Sequence, residues 1–279
     1  MSSPDLASLA FASPFAPSPP SPVGVFDSGV GGLSVLGALH RHLPGHPLLY
    51  LADSAHAPYG DRDTRQVLRR SQRIVEHLVG QGARLVVVAC NTATALAIDQ
   101  LRRDFPGLDF VGVEPGVKPA ALASAAKRIA VMATPATLAS PRYADLVARH
   151  APGCEVHPVP CAGLAAAIEQ GEAGRDEVER LLDRYCAPLN MLGADTVVLG
   201  CTHYPFVAER IASRLQPGIA LLDTADAVAR RTATLLGQPA TPPARPATLH
   251  LQTTGDPALL TRMALVGLGE ALPAARVNV

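Results

Sequence analysis

The chain is short of several things that would have settled its class. No unbroken apolar run approaches the ~20 residues that a membrane-spanning helix requires, which argues against a membrane protein. Charge of a dominant sign is missing: 24 Lys and Arg balance 24 Asp and Glu, so there is no electrostatic case for nucleic acid or for a membrane surface. Charged residues make up only 17% against 48% hydrophobic, too few for a disordered chain and enough apolar material for a core. None of the five cysteines stands in a CxxC or HxxxH spacing, so metal-ligand spacing is absent and reduced cytosolic thiols are expected. The segment Met1 to Pro22 is rich in Pro, Ser and Ala but has no basic leader and no continuous apolar stretch. It reads as a disordered extension, residues 1–22, rather than a secretory signal.

At about 150 residues per domain, 279 residues suggest two domains. Strand-like runs alternate with helix-like stretches. Val23 to Phe26, Leu48 to Leu51, Leu85 to Ala89, Ile129 to Met132 and Thr196 to Leu199 read as strands. Arg65 to Val79 carries Val67, Leu68, Ile74, Val75, Leu78 and Val79 at helical spacing. The alternation predicts an α/β fold with parallel sheets and crossover helices, and chemistry at the carboxyl ends of the strands.

One internal echo is more informative. Gly82-Ala83-Arg84-Leu85-Val86-Val87-Val88-Ala89-Cys90 reads against Gly193-Ala194-Asp195-Thr196-Val197-Val198-Leu199-Gly200-Cys201. Both follow the pattern G-A-x-x-V-V-x-small-Cys with equal spacing. A weaker echo joins Val23 to Ser28 with Ile129 to Thr134. The competing explanation is chance matching of short apolar runs; the equal spacing favours two related units, each presenting one cysteine at a strand end. The residues that follow are polar: Asn91-Thr92 after Cys90 and Thr202-His203 after Cys201.

A thiol at a strand terminus near a helix start is expected to have a lowered pKa. Two such thiols flanking one ligand suit removal of a proton from one face and its return on the other. Asp27 and His203, both at strand-end turns, could assist. A Cys90–Cys201 disulfide is the rival, disfavoured in a reducing compartment. Cys154, Cys161 and Cys186 read as buried structural thiols, Cys186 on the helical stripe of Val178, Leu181, Leu182 and Tyr185. The glycine run at 29–32 is neither a Walker A loop nor a GxGxxG fingerprint. Its amides and Ser28 could hold a carboxylate, or the run is a tight strand–helix turn. Asp53-Ser54 and Pro58-Tyr59-Gly60 follow a strand and so occupy another ligand-facing loop.

Together these motifs resemble the glutamate racemases of the aspartate/glutamate racemase family. Gly24-Val25-Phe26-Asp27-Ser28-Gly29-Val30-Gly31-Gly32-Leu33-Ser34-Val35 looks like the family's opening motif, and Tyr50-Leu51-Ala52-Asp53 with Pro58-Tyr59-Gly60 like its second. Ala89-Cys90-Asn91-Thr92-Ala93 and Leu199-Gly200-Cys201-Thr202-His203-Tyr204-Pro205 resemble its two catalytic segments. Val113-Glu114-Pro115 and Thr253-Thr254-Gly255-Asp256-Pro257 add to the likeness, which runs from Val23 to the C-terminus.

The resemblance implies a cofactor-independent enzyme, with no metal, that interconverts L- and D-glutamate and supplies D-glutamate for peptidoglycan in the cytoplasm. It implies two similar three-layer α/β domains, 23–115 plus 224–279 and 116–223, with the active site at their interface; a homodimer is compatible with it. Cys90 and Cys201 would be the acid/base thiols, and Asp27 and His203 their auxiliary partners. Asp27, Ser28, Tyr59, Gly60, Asn91, Thr92, Thr134, Thr137, Thr202 and His203 would contact the amino acid. Two positions depart from the family pattern: Ala136 stands where glycine is usual, and Ala162 where proline is usual. The Pro-rich run 239–246 lies largely outside the likeness. Competing functions are an aspartate racemase, a non-catalytic amino-acid-binding protein and a thiol-redox enzyme. The last is disfavoured because no CxxC is present.

Overall fold

Ten strands, all paired in parallel, form two sheets in the computed structural model, which describes residues 20–237 and 248–279. The expected disordered extension therefore lies outside the described residues except for its last three, as does the whole Pro-rich run 239–246. The strands are β1 (Val23–Asp27), β2 (Leu48–Ala52), β3 (Leu85–Val88), β4 (Asp109–Gly112), β5 (Arg128–Ala133), β6 (Glu155–Pro160), β7 (Thr196–Leu199), β8 (Ala220–Leu222), β9 (Leu249–Thr253) and β10 (Ala274–Arg276). The larger sheet runs β10-β9-β2-β1-β3-β4 and the smaller β6-β5-β7-β8.

The internal echo is visible in this order. The run β2-β1-β3-β4 of the larger sheet is repeated as β6-β5-β7-β8 in the smaller. The two cysteine segments follow the equivalent strands β3 and β7, and the weaker echo pairs the equivalent strands β1 and β5. Gly82 and Gly193, which open the two echo segments, both take positive φ, +93° and +63°. That left-handed backbone lets the chain leave a helix and enter a strand, and glycine adopts it without steric cost.

Each sheet is covered on both faces, as parallel sheets require. Val23, Val25, Tyr50, Leu85 and Val87 face one apolar cluster, and the alternate residues Phe26, Leu49, Leu51, Val86 and Val88 face another. In the smaller sheet Ala130, Met132, Val197 and Leu199 face one cluster, and Ile129, Val131 and Val198 the opposite one. The helix Thr64–Gly80 packs with Val67, Ile74, Val75 and Leu78 buried, two residues longer than the periodicity predicted. Cys161 and Cys186 are buried among apolar side chains of the smaller unit, and Cys154 is half-buried; all five cysteines are free thiols. Among the described residues no helix is long and apolar enough to cross a membrane.

Candidate active site

The parallel registers bring the predicted residues together. Phe26 of β1 lies beside Val88 of β3, so two residues further on Ser28 reaches Cys90. In the smaller sheet Met132 lies beside Leu199, which sets Thr134 at the level of Cys201. Both cysteines thus leave the carboxyl end of a strand flanked by neighbours on both sides. Cys90, Cys201, Asp27, Ser28, Tyr59, Asn91, Thr92, Thr134, Thr137, Thr202 and His203 are all buried, and Gly60 is half-buried.

Cys90 is the N-cap of the helix Asn91–Asp104, and its Sγ accepts the Ala93 amide at 3.5 Å. Its thiol donates to Ser28 Oγ at 3.7 Å, and Ser28 Oγ donates to Asp27 Oδ1 at 3.3 Å. Asp27 Oδ1 also accepts the Ser28 amide at 2.7 Å, and Oδ2 accepts the Thr202 hydroxyl at 3.1 Å. That last bond ties the β1 end to the cysteine loop of the other sheet.

The expected lowering of the thiol pKa does not hold for Cys90. Burial pushes it well above the ordinary value, the Asp27 charge and Cys201 add to this, and the Ala93 amide and Ser28 only partly oppose it. Burial likewise raises the Asp27 carboxyl, against the pull of His203 and Cys90.

Cys201 faces a different partner. Its Sγ lies 3.8 Å from His203 Nδ1, while His203 Nε2 lies 2.7 Å from Glu169 Oε2. Burial alone would lower the His203 pKa; contacts with Cys201 and Glu169 outweigh it and hold the imidazole well above its usual range. Each thiol therefore has its own polar relay: Ser28 and Asp27 beside Cys90, His203 and Glu169 beside Cys201.

Glu169 escaped the sequence reading. It ends the helix Leu164–Glu169, whose other residues are all apolar, and no motif or echo marks it. Its Oε2 also accepts the Val30 amide at 2.8 Å, and Oε1 accepts Ser54 Oγ at 2.7 Å. The glycine-turn amide does hold a carboxylate, and that carboxylate belongs to the protein. This also explains two of the glycines. A Cβ on Gly29 would stand 2.2 Å from Glu169 Oε2, and one on Gly31 would stand 2.4 Å from His203 Nδ1.

A second group of side chains lies nearby. The Thr92 and Thr134 hydroxyls are 3.0 Å apart, Thr134 and Thr137 2.9 Å, and Thr92 and Thr137 3.3 Å. Thr134 caps the short helix Pro135–Leu138. Ala136 fits there without glycine's freedom, since among the described non-glycine residues only Lys127 has positive φ. Asn91 Nδ2 is buried with no hydrogen-bond partner among the described residues, a donor that an acceptor-rich ligand would satisfy. The Tyr59 hydroxyl donates to Asp53 Oδ2 at 2.6 Å, so its one proton is already engaged within the protein. A cavity of about 450 Å³ is lined by Arg175, Phe206, Arg210, Leu259 and Met263 and includes none of these residues.

Comparison with known proteins follows the same lines. A family model described as Asp/Glu/Hydantoin racemase matches residues 33–232. The chain is 46% identical over 239 residues to the glutamate racemase of Herpetosiphon aurantiacus, covering 85% of this chain and 94% of that protein. It is 46% identical over 228 residues to that of Pseudomonas aeruginosa, covering 79% and 86%. Among solved structures it resembles a glutamate racemase isoform from Bacillus anthracis, with a TM-score of 0.84 and 28% identity over 94% of this chain and 99% of that one. It also resembles the Escherichia coli glutamate racemase in complex with L-glutamate and the activator UDP-MurNAc-Ala, with a TM-score of 0.79 and 31% identity over 92% and 98%.

Proposed function

The chain belongs to the Asp/Glu/Hydantoin racemase family, and within it to the glutamate racemases; on that premise we propose that Cys90 and Cys201 are the two acid/base groups of its cofactor-independent racemisation. One thiolate removes the α-proton of glutamate. The electron pair of the broken C–H bond stays on the α-carbon, beside the carboxylate. The opposing thiol then delivers its proton to the other face, which leaves it as thiolate and the first cysteine as thiol. Reversal of the roles runs the reaction in the other direction.

The observation that carries this reading is the placement of the two thiols after equivalent strands of two sheets, each thiol with its own relay. Asp27, through Ser28, is assigned to resetting the proton on Cys90. His203, oriented by Glu169, is assigned to Cys201. Burial favours the neutral thiol at Cys90, and the α-ammonium group of a bound amino acid supplies the positive charge that would favour its thiolate. The Asn91 amide and the hydroxyls of Thr92, Thr134, Thr137 and Thr202 are assigned to the amino acid's carboxylates, with the Gly60 turn as one wall.

The division into 23–115 plus 224–279 and 116–223 is part of the same proposal; in its support, each sheet draws its strands from one side of those boundaries. A homodimer and a cytoplasmic location, where D-glutamate enters peptidoglycan synthesis, complete it. The test is proton NMR of the purified protein in deuterated water with L- and D-glutamate separately, and aspartate in parallel. Loss of the α-proton signal with appearance of the opposite glutamate enantiomer supports the reading; exchange with aspartate alone would overturn it.

A further inference from the structure

Behind the site lies a charged cluster that the mechanism above does not use. Asp53, immediately after β2, is completely buried, and every polar group around its carboxylate is a donor or a hydroxyl. Arg70 Nη2 donates to Oδ1 at 2.8 Å and Nε to Oδ2 at 2.9 Å, a two-pronged contact. Thr254 Oγ1 donates to Oδ1 at 2.9 Å, His56 Nδ1 lies 3.0 Å from it, and the Tyr59 hydroxyl donates to Oδ2. The Arg70 side chain is 11% exposed and uses its remaining nitrogen, Nη1, on the backbone oxygen of Val279 at 2.6 Å. It projects from the helix Thr64–Gly80.

The cluster continues toward the site. Tyr59 is buried among the same apolar residues as Cys90. The next residue, Gly60, packs on Thr134: a Cβ there would stand 3.0 Å from both Thr134 Cβ and Cγ2. The sequence Arg70, Asp53, Tyr59, Gly60, Thr134 is thus an unbroken line of contacts from an outer helix to the threonine hydroxyls.

We infer that Arg70 is a positioning residue, which fixes the Tyr59–Gly60 wall of the amino-acid site through Asp53. The inference rests on the placement of substrate carboxylates at Thr92, Thr134 and Thr137 proposed above. Burial of a lone carboxylate at Asp53 would favour its protonated form, whose proton would compete with the Tyr59 hydroxyl for the same seat. With Arg70 in place that cost is offset, and the Asp53 carboxyl lies below the usual range. The Tyr59 ring then has one fixed orientation, and Gly60 one fixed distance from Thr134. A lysine cannot replace Arg70, because a single ammonium does not span both carboxylate oxygens.

The experiment compares full-length wild type with Arg70→Gln, Arg70→Lys, Tyr59→Phe and the Arg70→Gln/Tyr59→Phe double variant, measuring kcat and KM for both glutamate enantiomers. Arg70→Gln and Tyr59→Phe should each raise KM about tenfold with kcat changed less than about threefold, the scale of one hydrogen bond to a charged group. Arg70→Lys should not restore KM. In the double variant the effects should fall well short of multiplying, because both act through the same seat. A wild-type KM in Arg70→Gln, or full multiplication in the double variant, would overturn the inference, as would rescue by Arg70→Lys. If Arg70→Gln does not fold, Tyr59→Phe decides alone: an unchanged KM refutes the wall, a raised one supports it. Failure of the substrate placement would look different, since Thr134→Val would then leave KM unchanged in the wild-type background.

Discussion

His203 Nε2 and Val30 N share one oxygen of Glu169, at 2.7 and 2.8 Å. A single carboxylate thereby joins the glycine turn after β1 to the cysteine loop after β7, and it charges the histidine that faces Cys201. Removing that charge while keeping the shape, as in Glu169→Gln, should cost about a hundredfold in kcat with little change in KM, since a general acid–base group is worth that much or more. The His203 pKa should fall toward 6.5, its ordinary value. The pair's contribution to stability is complete below pH 6.5 and is lost as pH rises through the elevated pKa of the folded state, because there the folded protein binds the extra proton. Glu169→Gln should flatten that part of the stability–pH curve, measured by urea denaturation across pH 6 to 9, and a curve unchanged from wild type would contradict the assignment.

Gly29 is the steric condition for this arrangement. A methyl group there would overlap both Glu169 carboxylate oxygens, at 2.2 and 2.3 Å. Gly29→Ala should therefore destabilise the fold by about 1–3 kcal/mol through overpacking. It should also reproduce the kcat loss of Glu169→Gln, because the displaced carboxylate no longer reaches His203. Retention of full kcat in a folded Gly29→Ala protein would show that the contact is dispensable.

Asn91 carries a different kind of expectation. Its Nδ2 is buried without an acceptor among the described residues, so the side chain costs stability until a ligand supplies one. Asn91→Ala should leave the melting temperature unchanged or raise it, while KM rises about tenfold. A melting temperature lowered by several degrees with KM unchanged would make the residue structural.

Much of this site was legible because its residues follow strands. The two Gly-to-Cys segments, the Asp27-Ser28 turn and the Thr134 turn all sit at carboxyl ends of inner strands, and buried parallel strands are near-continuous apolar runs that stand out in a sequence. The five other strands lack that signature: Leu249–Thr253, although an inner strand, alternates Leu249 and Leu251 with His250 and Gln252, and the remaining four are edges. Glu155–Pro160 has prolines at 158 and 160 and pairs on one side only, an edge where a missing amide is tolerated. Asp109–Gly112, Ala220–Leu222 and Ala274–Arg276 are edge strands of three or four residues, too short for a pattern to register. Glu169 and Arg70 were invisible for another reason. Each acts across a tertiary contact, at sequence separations of 34 from His203 and 17 from Asp53, and neither lies in a motif. At Cys90 the helix N-terminus does not lower the thiol pKa, because burial and the neighbouring Asp27 outweigh the helix; Cys154, expected to be buried, is half-buried.

Two bases acting on opposite faces are tested most directly by α-proton exchange of Cys90→Ser and Cys201→Ser in deuterated water, starting from each glutamate enantiomer. Each variant should lose racemisation in both directions by at least about a thousandfold, since either direction uses both thiols. Each retains one base, so each should still exchange the α-proton of one enantiomer with retention, and the two variants should prefer opposite enantiomers. Full racemisation in both directions by either variant, or the same enantiomer preferred by both, would contradict the two-thiol arrangement.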